Sequence, residues 1–150
     1  MTQIELSTHI NAPIETCFDL ARSIDLHIIS TKQTGEQAIG GRTTGLIGFD
    51  ETVTWRAKHL GVWQTLTSKI TEFDYPNSFT DEMIEGAFKS MRHEHLFYAL
   101  NGQTLMKDIF MFESPYGRLG DVVNFLFLGW YMNRLLKKRN IVIKQSAENK

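Results

Sequence analysis

The sequence predicts an α+β domain: a curved antiparallel sheet wrapped around one long helix at the carboxyl end. Three observations carry this. From residue 50 onward, five consecutive segments alternate apolar and polar residues, the period of strands with one buried face. Asn101-Gly102 separates two of them, a dipeptide suited to the positive φ angles of a two-residue hairpin turn. From Leu119 to Ala147 apolar residues recur at helical spacing with no proline, and Val122, Phe125, Leu126, Gly129, Met132, Leu136 and Ile143 fall on one face. A helix of that length would span about 40 Å at 1.5 Å per residue.

The elements follow in order. Residues 3–10 alternate, with Ile4, Leu6, Thr8 and Ile10 on one side, and read as a strand. Pro13 stands where a helix can start, since its missing N–H would lack an intrahelical partner anyway. Ile14, Phe18 and Ala21 then recur at helical spacing beside Cys17. Leu26, Ile28 and Ile29 form a second short helix after Ser23 or Asp25. Residues 31–48, rich in threonine and glycine, read as a short strand plus loops. Val53, Trp55 and Ala57 alternate with polar neighbours, and a turn at Leu60-Gly61 leads into Val62–Phe73. Asp74-Tyr75-Pro76-Asn77 has turn composition. Phe79, Asp81 and Met83 share the next face, and Phe88–Leu100 and Leu105–Glu113 flank Asn101-Gly102.

Bulk properties narrow the function. At 150 residues, without repeats or a low-complexity linker, the chain reads as a single domain, residues 1–150. Sixteen basic and seventeen acidic residues give a formal charge of −1, so no nucleic-acid partner is expected. Cys17 is the only cysteine, which excludes an internal disulfide and fits a reducing compartment. The polar, alternating start MTQIELSTHI is unlike a signal peptide. The run from Val122 to Met132 is too short to span a bilayer. A cytoplasmic protein with no stable membrane insertion is expected.

The chemistry concentrates on the hairpin. Met91, His93, His95 and Phe97 share one parity on its first strand, and Met106, Asp108, Phe110 and Phe112 share one on its second. That parity sends His93, His95 and Asp108 inward and leaves Arg92, Glu94 and Lys107 outside. Asp81, between Phe79 and Met83, has the same character. Unpaired burial of these groups would be costly, so they should bond one another or a ligand. Four readings stay open: a satisfied structural network, a polar anchor for an amphipathic ligand, a metal site, and acid–base catalysis. A single His-X-His with distant carboxylates lacks the spacing of known zinc motifs. No activated serine or cysteine constellation and no phosphate-binding glycine pattern is present, and no cofactor is expected.

Trp55, Met83, Met91, Phe97, Met106 and Phe110 would line the concave side, where flexible methionines suit irregular apolar shapes. Gly129, placed at the centre of the helix's inward face, would let a ligand or strand approach closely. Phe127, Trp130 and Tyr131 lie away from that face and need cover, from the loop over residues 31–48 or from a homodimer contact. Weak membrane docking is a third way to cover them. Arg134, Lys137 and Lys138 form a solvated outer face further on.

The order of strand, helix pair, antiparallel sheet and long terminal helix resembles the helix-grip superfamily of START, Bet v 1 and polyketide cyclase domains, the SRPBCC group. Gly45-Leu46-Ile47, DETVTWRA at 50–57, FTDEM at 79–83 and Gly86-Ala87-Phe88-Lys89 are similar to a bacterial subgroup often labelled "cell division inhibitor". His93-Glu94-His95 and Ser114-Pro115-Tyr116-Gly117 extend that match over nearly the whole chain. The resemblance implies an internal pocket for a small hydrophobic or amphipathic molecule. Trp55, Met83, Met91, Phe110, Phe125, Gly129 and Met132 are expected to shape it, and His93, His95, Asp108 and Asp81 to anchor a polar end. The alternatives are a cyclase or dehydratase using His93 or His95 as base, and a regulatory interaction protein working through the aromatic side of the helix. Fold by itself does not choose among them.

Overall fold

The computed structural model describes residues 1–114 and 127–150. Strand β1 (Thr2–Ile10) is followed by helices α1 (Ile14–Ala21) and α2 (Ile24–Ser30) and a single 3₁₀ turn at Lys32–Thr34. Strands β2 (Gln37–Gly41), β3 (Thr52–His59), β4 (Val62–Asp74), β5 (Ser78–Glu85), β6 (Ser90–Leu100) and β7 (Gln103–Glu113) come next, then helix α3 (Gly129–Glu148). The sheet is antiparallel with strand order β1-β7-β6-β5-β4-β3-β2. Six strands therefore form a meander, and the first strand returns to pair with the last.

Local chemistry explains these boundaries. Pro13 occupies the position before the first helical residue of α1, and the Ser23 hydroxyl caps α2 by accepting from the Leu26 N–H at 3.1 Å. Asn101 and Gly102 both have positive φ, 53° and 81°, and Leu100 pairs with Gln103, so the turn has the two-residue form the dipeptide favours. Gly41 is required sterically: at φ 68° an added Cβ would lie 2.2 Å from the Thr52 carbonyl oxygen. The β4 register slips at Thr67/Ser68 and again at Ile70/Glu72, and such bulges bend a strand and help the sheet curve.

Helix α3 closes the concave face, packing against β1, α1 and α2. Its buried residues, Leu136, Arg139, Asn140, Ile143 and Ala147, recur at three- and four-residue intervals. Toward its carboxyl end, Ile143 and Ala147 join a core built around Phe18, whose ring meets those of Phe73, Phe79 and Phe97 at 5.2–5.4 Å. Nearer its start, Leu136 and Met132 pack with Ile4, Met91, Phe110 and Phe112. The segment Gly45–Ile47 is tied to the α1–α2 junction by Ile24 N–H to the Gly45 carbonyl (2.9 Å) and Ile47 N–H to the Arg22 carbonyl (3.1 Å). That tether makes one wall of the space under α3.

Several expectations about the terminal helix change. Residues 119–126, including Phe125, lie outside the described residues. Gly129 opens the regular α-helical stretch of α3, with Phe127 and Leu128 already wound as a π turn before it. Tyr131 turns inward instead of joining Phe127 and Trp130, because its hydroxyl pairs with His59 Nδ1 at 2.8 Å. Phe127 and Trp130 stay exposed, Trp130 at 56%, and residues 31–48 do not cover them. Arg134, Lys137 and Lys138 are exposed as the spacing predicts. No helix among the described residues is long and apolar enough to cross a membrane.

Candidate functional site

Strand register assembles the site. On β6, Met91, His93, His95 and Phe97 are buried, while Arg92 and Glu94 lie on the opposite face. Arg92 there bonds Glu72 at 2.6 Å and faces Glu82 at 3.3 Å. His95 lies opposite Asp108 on β7, and His93 lies opposite both Phe110 on β7 and Asp81 on β5. Two carboxylates and two imidazoles thus share one level of three adjacent strands. The imidazoles lie face against face, with centroids 3.7 Å apart, and Phe79 stacks on the far side of His95 at 4.1 Å.

The hydrogen bonds fix the protons. His93 Nε2 donates to Asp108 Oδ1 at 2.8 Å, and His95 Nε2 faces Asp81 Oδ2 at 2.7 Å. Helix α3 supplies two groups that sequence reasoning missed, Arg139 and Asn140. Arg139 Nη1 donates to Asp108 Oδ1 (3.3 Å) and Asn140 Oδ1 (2.9 Å), and Nη2 donates to the Ala21 carbonyl (3.2 Å). Asn140 Nδ2 donates to Asp108 Oδ2 at 2.7 Å. Arg139 Nη2 also lies 3.4 Å from His95 Nδ1. A guanidinium only donates, so His95 Nδ1 accepts and the proton sits on Nε2, where it is given to Asp81. Both nitrogens of His95 are occupied.

His93 differs. It is 5% exposed, and its Nδ1 has no protein partner among the described residues. Thr71 Oγ1 is the one fully sealed, unpartnered side-chain polar atom among the described residues, so His93 Nδ1 keeps surface open to the space its ring lines.

Electrostatics follow from this geometry. Burial opposes the charge on Asp108, yet the hydrogen bond from His93 and the guanidinium of Arg139 hold its carboxyl well below the usual range. Burial likewise opposes the charge on Asp81, and the bond from His95 together with the neighbouring His93 and Arg139 outweighs it, so this pKa is also lowered. Burial, then the neighbouring His93, push His95 down to about 4 despite Asp81. At neutral pH the cluster therefore holds two carboxylates, one guanidinium and a neutral His95.

Between sheet and α3 lies a cavity of about 360 Å³. Trp55, Met91, Phe110 and Met132 line it, and Asp81, His93, His95 and Arg139 form its polar end. Asp108 sits behind the imidazoles, 1% exposed, and orients His93 without lining the space. Gly129 and Met83 do not line it, although their neighbours Leu128 and Met132 on α3 do. Sequence reasoning also missed a second polar group on the β3 side. There His27 Nε2 bonds Glu36 at 2.7 Å, His27 lies against Trp55, and His59 pairs with Tyr131. Burial lowers the pKa of His59 and raises that of Tyr131. Extending the Val53-Trp55-Ala57 parity by one step would have found His59, and the helical spacing of Met132, Leu136 and Ile143 would have found Arg139.

Asp81, His93 and His95 could in principle share a metal, with one donor atom from each lying within 4.8 Å of the others. As arranged, they make a hydrogen-bonded network instead. A metal would have to take the His95 nitrogen that now serves Asp81 and would sit close to the Arg139 guanidinium.

No family model matches the sequence. No curated protein matches it. Solved structures do resemble it. The protein TTHA0849 from Thermus thermophilus superposes with a TM-score of 0.75 at 17% identity, covering 97% of this chain and 99% of that one. A START superfamily protein from Mycobacterium smegmatis gives 0.72 at 13% identity, covering 95% and 97%. Major latex-like protein 151 from Panax ginseng gives 0.69 at 16% identity, covering 97% of each chain. None of these names concerns cell division. With its seven-stranded curved sheet closed by a long terminal helix, the chain has the helix-grip fold of the START and Bet v 1 proteins.

Proposed function

We propose that this protein holds a small hydrophobic or amphipathic molecule in the cavity beneath α3. The observation that carries the reading is His93: a nearly buried imidazole with one nitrogen unpartnered among the described residues, at the polar end of a largely apolar space. About 360 Å³ lies at the lower end of the range for small-molecule sites, and an apolar wall with a few directed polar groups is their usual make-up. Trp55, Met91, Phe110 and Met132 would hold the body, and His93, with Asp81, the polar end. Native mass spectrometry of freshly purified protein tests this. A retained small molecule, weakened in His93→Ala, is the expected result, and an empty protein that binds no apolar probe refutes it.

A second reading rests on the same nitrogen. Asp108 fixes the His93 ring with Nε2–H toward itself, so Nδ1 is the nitrogen turned to the cavity, placed to take a proton from a bound molecule as a general base. His95, with both nitrogens engaged, fits that role less well. Turnover of a bound compound that vanishes in His93→Gln while binding persists would favour an enzyme of cyclase or dehydratase type.

A further inference from the structure

Among the described residues, the polar end of the cavity is short of donors and of positive charge. Asp81 and Asp108 bring two carboxylates, and Arg139 brings one guanidinium whose terminal nitrogens already serve Asp108, Asn140, the Ala21 carbonyl and His95. The other charged groups of the wall are matched locally: Arg22 with Asp19 at 2.9 Å, and Glu36 with His27 at 2.7 Å. No lysine lines the cavity among the described residues. The atoms left open are acceptors. Asp81 uses Oδ2 for His95 and leaves Oδ1 without a partner among the described residues, and His93, whose Nε2 is bonded to Asp108, presents Nδ1. The Ser68 hydroxyl, also in the wall and without a partner among the described residues, can serve either way.

We propose that this end of the cavity takes a cationic, donating head group, so that the bound molecule is an amphipathic amine. Its ammonium donates to Asp81 Oδ1 and His93 Nδ1, and its apolar body lies along Trp55, Met91, Phe110 and Met132. A carboxylate placed there would face Asp81 with the neutral Ser68 hydroxyl as donor and no unpaired cation among the described residues to receive it, while an alcohol would keep one hydrogen bond and gain no charge pairing. The proposal rests on the cavity being a ligand site.

The test uses three ligands with one apolar body: octylamine, octanol and octanoate, titrated calorimetrically at neutral pH. Octylamine should bind at least about tenfold more tightly than octanol, with octanoate weakest. Asp81→Asn should remove most of the amine's advantage while leaving octanol within about twofold, which also reports that the variant is folded. Octanoate binding as well as octylamine, or an unchanged amine affinity in Asp81→Asn, overturns the proposal. Octanol binding with no preference for the amine defeats this inference and leaves the cavity reading standing. Failure of all three to bind defeats both. Stoichiometric zinc binding with no amine binding would replace the amine by a metal.

Discussion

Arg139 offers the sharpest check on the buried network. It is 6% exposed and, among the described residues, the one arginine or lysine in contact with Asp108, so Arg139→Met keeps much of its apolar bulk and deletes its charge. Four hydrogen bonds go with it. The Ala21 carbonyl, His95 Nδ1 and Asn140 Oδ1 lose that donor, and Asp108 Oδ1 keeps only His93. Breaking a buried pair on one side costs about 3–5 kcal/mol, because the remaining charge stays buried. At this size that corresponds to a fall in Tm of roughly 6–20 °C. Urea unfolding followed by tryptophan fluorescence measures it directly. Adding Asp108→Asn should recover part of the loss, since the stranded charge is then gone and His93 and Asn140 keep a partner. A loss under about 1 kcal/mol, or a double variant whose losses simply add, would refute the claim that Asp108 and Arg139 form a compensated pair.

Three further outcomes are expected. His95 has a folded-state pKa of about 4, below its unfolded value, so the unfolded chain binds the extra proton between those limits. Stability should therefore fall as pH drops from about 6.5 to about 4, with His95 remaining the Nε2–H tautomer by long-range nitrogen NMR; equal stability at both ends, or a protonated Nδ1 at neutral pH, contradicts this. Ala57→Leu, placed on the cavity wall, should reduce binding of an apolar probe with a change in stability under about 1.5 kcal/mol, and unchanged binding would mean the probe sits elsewhere. Gly41→Ala should cost more than Gly102→Ala by at least about 1 kcal/mol, because only the former meets backbone, whereas at Gly102 the added methyl meets nothing within 4 Å. Equal costs in urea unfolding would show that the φ angles alone decide.

Whatever depends on local periodicity was legible in the sequence. Alternation along β6 and β7 sent His93, His95 and Asp108 to the face opposite Arg92, Glu94 and Lys107, because neighbouring side chains on a strand point to opposite faces. Asn101-Gly102 placed the hairpin through the φ angles it tolerates. Pairing across distant segments was not legible. That Arg139 rather than solvent would meet Asp108, that His59 would hold Tyr131 inward, and that Glu36 would face His27 depend on how α3 and α2 lie over the sheet. Whether a space remains beneath the helix is of the same kind, since it is set by the curvature that the β4 bulges help impose and by the segment tied to the α1–α2 junction. One-dimensional spacing fixes the side of an element that a residue takes, and only tertiary packing fixes which charge it meets there.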